Sequence, residues 1–206
     1  MNSKLTIILI IFFQLLFLNK IFSKEIQFNA NEIEVLDGGN ETIAKNGTAF
    51  IEKDKISVTG AIIKYKKNKS LLIINEGEIK KIDDNLKINS KVIEYNIDQS
   101  NLYLKNDVKI NDIANKIKIS TDEINYDVEK QKIESSSNSE IKDSFGNIYQ
   151  VSKFEYNIKS KIIKLSNLKV LDVSENIFKI EIAFLDLKKK ELVAKDVGIN
   201  FKISDD

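Results

Sequence analysis

The most regular chemistry in the sequence is a recurring phenol. Tyr65, Tyr95, Tyr126 and Tyr156 stand 30, 31 and 30 residues apart, so one hydroxyl-bearing ring returns to one place in a repeating unit. Two roles suit it. The rings line an apolar path with their hydroxyls at a wet rim, or they form a ladder that pins the register of neighbouring strands. The ladder is favoured, because the tyrosines repeat with the scaffold instead of clustering. The other polar groups offer less. Lys66-Lys67 and Lys80-Lys81 could meet phosphates as point charges, but such pairs usually sit in solvated turns. Asp83-Asp84 and Asp122-Glu123 lack the ligand-spaced loop of a calcium site. No serine has a base beside it, and Ser135-Ser136-Ser137-Asn138 reads as a loose turn.

Missing residue types narrow the chemistry further. The chain has no His, Cys, Pro or Trp, and all 32 of its basic residues are lysines. Without His the usual general base and commonest metal ligand are gone. Without Cys there is no thiolate nucleophile, disulfide or thiolate metal site. Without Arg, bidentate phosphate recognition is unavailable. The expectation is a non-enzyme with no catalytic residues, cofactor or metal, and with no nucleic-acid partner, which would call for a basic face.

The repeat defines the scaffold. Extended backward and forward, the tyrosine register reaches Val35 and Leu185, giving about six two-stranded units. A second spot recurs a dozen residues later, at Gly47, Gly77, Asp107, Asn167 and Asp196, with the copy around Ser135 to Ile141 the weakest. Apolar residues alternate with polar ones, as in Leu86-Lys87-Ile88 and Ile117-Lys118-Ile119, the period of half-buried strands. Turn residues fall between the runs at Asp37-Gly38-Gly39-Asn40, Asp98-Gln99-Ser100-Asn101 and Ser144-Phe145-Gly146-Asn147. The fold class is all-β, an antiparallel folded sheet of about a dozen strands.

In every unit the apolar phase flips once before the tyrosine position. Ile56 and Val58 give way to Ile63 and Tyr65, Leu86 and Ile88 to Ile93 and Tyr95, and Ile117 and Ile119 to Ile124 and Tyr126. Such a flip means that the strand bulges or turns a corner so that its inner face stays inner. Six repetitions describe a sheet folded along its length, with a trough roughly 50 Å long at about 4.8 Å per strand. The expected trough wall is Ile56, Val58, Ile63, Leu86, Ile88, Ile93, Ile117, Ile119, Ile124 and Phe154. These residues line a lipid groove or simply form a core, and only the width between the walls separates the two. Both ends are open strand edges, suited to docking another sheet.

Residues 1–23 read as a signal peptide and 24–206 as the domain. Lys4 precedes an apolar run from Leu5 to Leu18, and Ser23 offers a small residue for cleavage. The alternative is a retained anchor, for which that run is short. Without Lys4 and Lys20, 30 lysines face 31 acids.

Phe28-Asn29-Ala30-Asn31-Glu32-Ile33-Glu34-Val35 followed by Ile43-Ala44-Lys45-Asn46-Gly47-Thr48-Ala49-Phe50-Ile51 resembles the repeat of the OstA-like periplasmic proteins. Ile74-Asn75-Glu76-Gly77-Glu78-Ile79 and Asn106-Asp107-Val108-Lys109-Ile110 fit its second half. That family comprises the lipopolysaccharide-transport proteins LptA and LptC and the N-terminal domain of the outer-membrane assembly protein LptD. The stretch from Gly146 to Asp186 with Lys195-Asp196-Val197 is most similar to the LptD domain. The family's Gly-Asn-Val element is intact nowhere in this chain. The resemblance implies a β-jellyroll or β-taco in the periplasm, shielding lipid A acyl chains of lipopolysaccharide during outer-membrane assembly. It also implies stacking on other Lpt proteins by edge strands and association with the outer membrane. It leaves open a stand-alone carrier or a fragment of LptD. The competing reading from the residues alone is a structural β-solenoid, a spacer or adhesin-like module with a packed core.

Overall fold

The computed structural model describes residues 26–83, 85–171 and 177–200, so the signal-peptide reading of residues 1–23 lies outside the described residues. Strand-favouring Ile, Val and Tyr on alternate positions produce strands joined by short turns. In chain order these are β1 (Ile26–Leu36), β2 (Glu41–Ile51), β3 (Ile56–Lys66), β4 (Leu71–Lys81), β5 (Leu86–Asn96), β6 (Asn101–Asp112) and β7 (Ile117–Asp127). There follow β8 (Lys132–Ser135), β9 (Ser139–Lys142), β10 (Ile148–Val151), β11 (Lys153–Asn157), β12 (Ile162–Leu171), β13 (Ile177–Asp186) and β14 (Glu191–Asn200).

All fourteen belong to one antiparallel sheet. From β1 to β7 each strand pairs with the next. β8 and β9 both pair with β7, β11 returns on β8, and β10 returns on β9. β12 then pairs with both β11 and β10 before β13 and β14 complete the meander. Thus β8 with β9, and β10 with β11, are two strands each interrupted in the middle. The weak fourth copy is the place where Ser136–Asn138 breaks the first of them.

The interruption falls on a line that every strand crosses. In β3 the buried positions are Ile56, Val58 and Gly60, then Ile63. In β5 they are Leu86, Ile88 and Ser90, then Ile93 and Tyr95. In β7 they are Ile117, Ile119 and Thr121, then Ile124 and Tyr126. The parity change expected from the sequence is a corner. The intervening strands turn it with residues in the left-handed region: Asn46 (φ 49°), Glu76 (φ 51°), Asn106 (φ 67°) with Asp107 (φ 57°), and Asn167 (φ 52°). The second recurring spot in the sequence is therefore this corner. In β6, two consecutive left-handed residues make a bulge, and the register steps from Lys105 opposite Glu123 to Val108 opposite Thr121.

The corner divides the sheet into a first wall, which holds Ile26–Ala30 and its counterparts, and a second wall, which carries the tyrosines. Their inner faces meet in one hydrophobic cluster. On the second wall, register neighbours run Tyr65, Leu72, Tyr95, Leu102, Tyr126, Ile133, Tyr156, Ile163, Leu185 and Leu192. This is the expected ladder, with an aliphatic residue between each pair of rings.

Close approach at the corner demands a small residue. A Cβ on Gly47 would lie 2.3 Å from Ala30 Cβ and 2.6 Å from the Asn29 carbonyl oxygen. Gly47→Ala is therefore expected to destabilise the domain by about 1–3 kcal/mol, the usual cost of overpacking. Urea unfolding measures this, and hydrogen exchange should show the loss concentrated in β1.

Candidate functional site: the seam between the walls

The ten residues expected to line a trough all lie between the walls. Ile56, Val58, Ile63, Ile88, Ile93 and Phe154 are fully buried, Ile117, Ile119 and Ile124 are 1% exposed, and Leu86 is 2% exposed. They belong to the same cluster, with the inner faces of the walls closed on one another.

The walls are joined differently along their two long sides. Along the corner they share the continuous backbone of every strand. Along the opposite side, two rows of turns meet, and side chains hold them together. Asp54, in the turn between β2 and β3 on the first wall, is 6% exposed. Its carboxylate accepts hydrogen bonds from the Tyr95 hydroxyl and, at 2.9 Å, from Ser100 Oγ, both on the second wall. Lys53 Nζ donates to Ser100 Oγ at 2.8 Å and reaches Glu129 at 3.2 Å. Lys81 Nζ donates to the Asp54 carbonyl at 2.8 Å.

A second clasp repeats the chemistry. Asp112, at the end of β6 and 1% exposed, accepts from the Tyr156 hydroxyl. Asn115 Nδ2 donates to Asp112 at 2.7 Å and to the Tyr156 oxygen at 3.1 Å, while its backbone N–H donates to Asp112 Oδ1 at 2.8 Å. A buried carboxylate without such donors would be costly. Tyr95 and Tyr156 thus serve twice, as rungs of the ladder and as donors across the seam.

The sequence did not single out Asp54, Ser100, Asp112 or Asn115. Each clasp joins residues more than forty positions apart, and the spacing within one repeat says nothing of which turns face each other. Asp54 in the turn after β2 meets the turn after β5, so the walls are offset along the sheet. That offset leaves the inner face of the second wall uncovered near β1, where Ile33 is 47% exposed and Val35 64% exposed.

The sequence's other polar candidates take ordinary places. Lys80 pairs with Glu78 at 3.1 Å, Asp83 with Lys55 at 3.0 Å, and Glu123 accepts from the Tyr103 hydroxyl at 2.7 Å. Asp84 lies outside the described residues. Ser135 and Ser139 are buried at the broken corner and bond to Thr121 Oγ1 at 3.0 and 2.9 Å.

The repeat motifs agree with the family comparison. A family model described as lipopolysaccharide-assembly, LptC-related, matches residues 40–169, more than half of the chain. The chain belongs to this family, which is one of the groups that the repeat motifs resemble. No curated protein matches it. Among solved structures, it is similar to LptH, the LptA-homologous periplasmic component of the conserved lipopolysaccharide transport device from Pseudomonas aeruginosa. The identity is 13%, covering 69% of this chain and 82% of that one, with a TM-score of 0.29.

Burial and, next, the hydrogen bond to Asp54 push the Tyr95 phenol well above its ordinary value. A raised folded-state pKa means stability present below the unfolded value of about 10 and lost as pH rises beyond it. Tyr95→Phe should cost about 1–3 kcal/mol at neutral pH, because the Asp54 carboxylate loses a donor. Above pH 10 the variant should lose less further stability than the parent, and urea midpoints at pH 8 and pH 11 test both points.

Proposed function

We propose that this domain takes up the acyl chains of lipopolysaccharide by parting its walls along the seam, and shields them in the periplasm during outer-membrane assembly. The observation that carries the reading is the inequality of the two long sides. Backbone closes one, and side chains alone close the other, a few hydrogen bonds together with the buried turn residues Ile97, Val128 and Ile158. Opening about the corner would expose a continuous apolar strip, including Ile56, Val58, Ile63, Leu86, Ile88, Ile93, Ile117, Ile119, Ile124 and Phe154, without breaking the ladder. Each acyl CH₂ that entered would recover about 0.8 kcal/mol. Transfer along the strip needs no bond chemistry, in keeping with a carrier and not an enzyme.

Family membership supports lipopolysaccharide as the cargo. β1 and β14 each pair on one side only among the described residues. These open edges support stacking with other Lpt proteins, with a signal peptide delivering the chain to the periplasm. A second reading, a structural spacer with a permanently packed core, is favoured by the burial of the interior.

A photo-crosslinking residue separates the two. Benzoylphenylalanine at Phe154 replaces one buried aromatic by another. Irradiation with lipopolysaccharide is expected to give a covalent adduct, detected as a mass-shifted, lipopolysaccharide-reactive band. Absence of that adduct in a folded protein would overturn the carrier reading in favour of the spacer.

A further inference from the structure

We propose that acyl chains pass into the seam at one built portal near its C-terminal end, where three lysines receive the phosphate of an anionic lipid. The proposal rests on the carrier reading above and adds to it the place of access and the headgroup chemistry.

The portal lies one repeat beyond the second clasp. Tyr95 and Tyr156 hold Asp54 and Asp112 across the seam. One repeat beyond Tyr156, the ladder position is Leu185, which has no hydroxyl. The aspartate in the next turn of the first wall, Asp143, bonds within its own wall instead. It accepts from the Tyr149 hydroxyl and Asn147 Nδ2, each at 2.8 Å, and from the backbone N–H groups of Phe145 and Asn147. Burial acts to raise the Asp143 carboxyl, but these donors outweigh it and hold the group below the usual carboxylate range. Here the walls leave a cavity of about 490 Å³, within the size range of ligand pockets.

The cavity is amphipathic in the way a lipid headgroup region needs. Ile117, Tyr149, Leu185 and Leu192 line it on the apolar side and all belong to or pack against the core. Lys116, Lys161 and Lys190 line it as well, one from each of three turns. None of these three ammonium groups is in an ion pair among the described residues. The two nearby carboxylates are already engaged, Asp143 as above and Asp186 by the backbone N–H groups of Lys188 and Lys189. The three lysines also sit at left-handed positions, with φ of 55°, 63° and 60°. At the lip, Lys190 Nζ stands 5.4 Å from the centre of the Phe145 ring. Phe145, 66% exposed, and Ile113, 58% exposed, offer apolar surface to a micelle.

An acyl chain fits the apolar side and its phosphate the lysines, which donate as charged hydrogen-bond partners. The occupant is thus a phosphorylated lipid, not free phosphate, which would leave the apolar wall unfilled.

The test uses the full chain and two fluorescent probes, bis-phosphorylated lipid A and the same molecule with both phosphates removed. Capture is scored by crosslinking from benzoylphenylalanine at Phe154. The triple variant Lys116→Gln, Lys161→Gln, Lys190→Gln is expected to slow capture of the phosphorylated probe about tenfold. Capture of the dephosphorylated probe should change less than twofold, and millimolar inorganic phosphate should not compete. Leu185→Tyr, which restores the missing hydroxyl opposite Asp143, is expected to slow capture of both probes. Circular dichroism and urea midpoints confirm folding, and single Lys→Gln variants replace the triple one if it fails to fold. Equal effects of the lysine changes on the two probes, or none on either, would overturn the portal. Failure of the parent protein to capture either probe would instead overturn the carrier reading itself.

Discussion

Everything in this architecture depends on the corner. A strand of eleven residues that must keep its apolar side inward on two facing walls cannot hold the two-residue period throughout. Somewhere it has to shift by one residue. Asn46, Glu76, Asn106 with Asp107, and Asn167 accept a left-handed backbone to accomplish this, at a cost that Asn and Asp bear better than most side chains. In return, one meander builds both walls, and the backbone pairing continues through the bend. At one corner the strand breaks, between β8 and β9, and Thr121 Oγ1 hydrogen-bonds with both Ser135 and Ser139 there.

The corner also determines how the two remaining margins behave. Because the backbone secures only one long side, the opposite side must be secured by side chains. The buried carboxylates Asp54 and Asp112 do this with tyrosine hydroxyls drawn from the ladder. A carboxylate held in this way is well satisfied when the walls are closed and rehydrated when they part. The offset of the walls along the sheet leaves the ladder's first members exposed at one end and sets which turns meet at the other.

Much of this was legible in residue order. The parity changes at Ile56–Tyr65, Leu86–Tyr95 and Ile117–Tyr126 give the corner, and the thirty-residue return of tyrosine gives the ladder, because both are properties of single strands and their nearest neighbours. The seam was not legible in the same way. Which turn faces which depends on the accumulated twist of the sheet, and no local spacing records it. Hence nothing in the local sequence marks Asp54 or Asp112. The interior width was likewise hidden, since Ile88 and Ile119 carry the same pattern whether they line a groove or a core. Leu185 was read in the sequence as a continuation of the tyrosine register, but its lost hydroxyl acquires meaning only beside Asp143.

The continuity of the backbone around the corner has a thermodynamic consequence. Separating the walls, as the proposed uptake requires, would hydrate apolar surface while leaving the strand ladder paired, so the opened form would differ from the closed one in its heat capacity, which rises with apolar exposure. Calorimetry would register that change with the far-ultraviolet signal of the sheet nearly untouched. In the proposed uptake the domain would act like a book, whose pages part without loosening the spine.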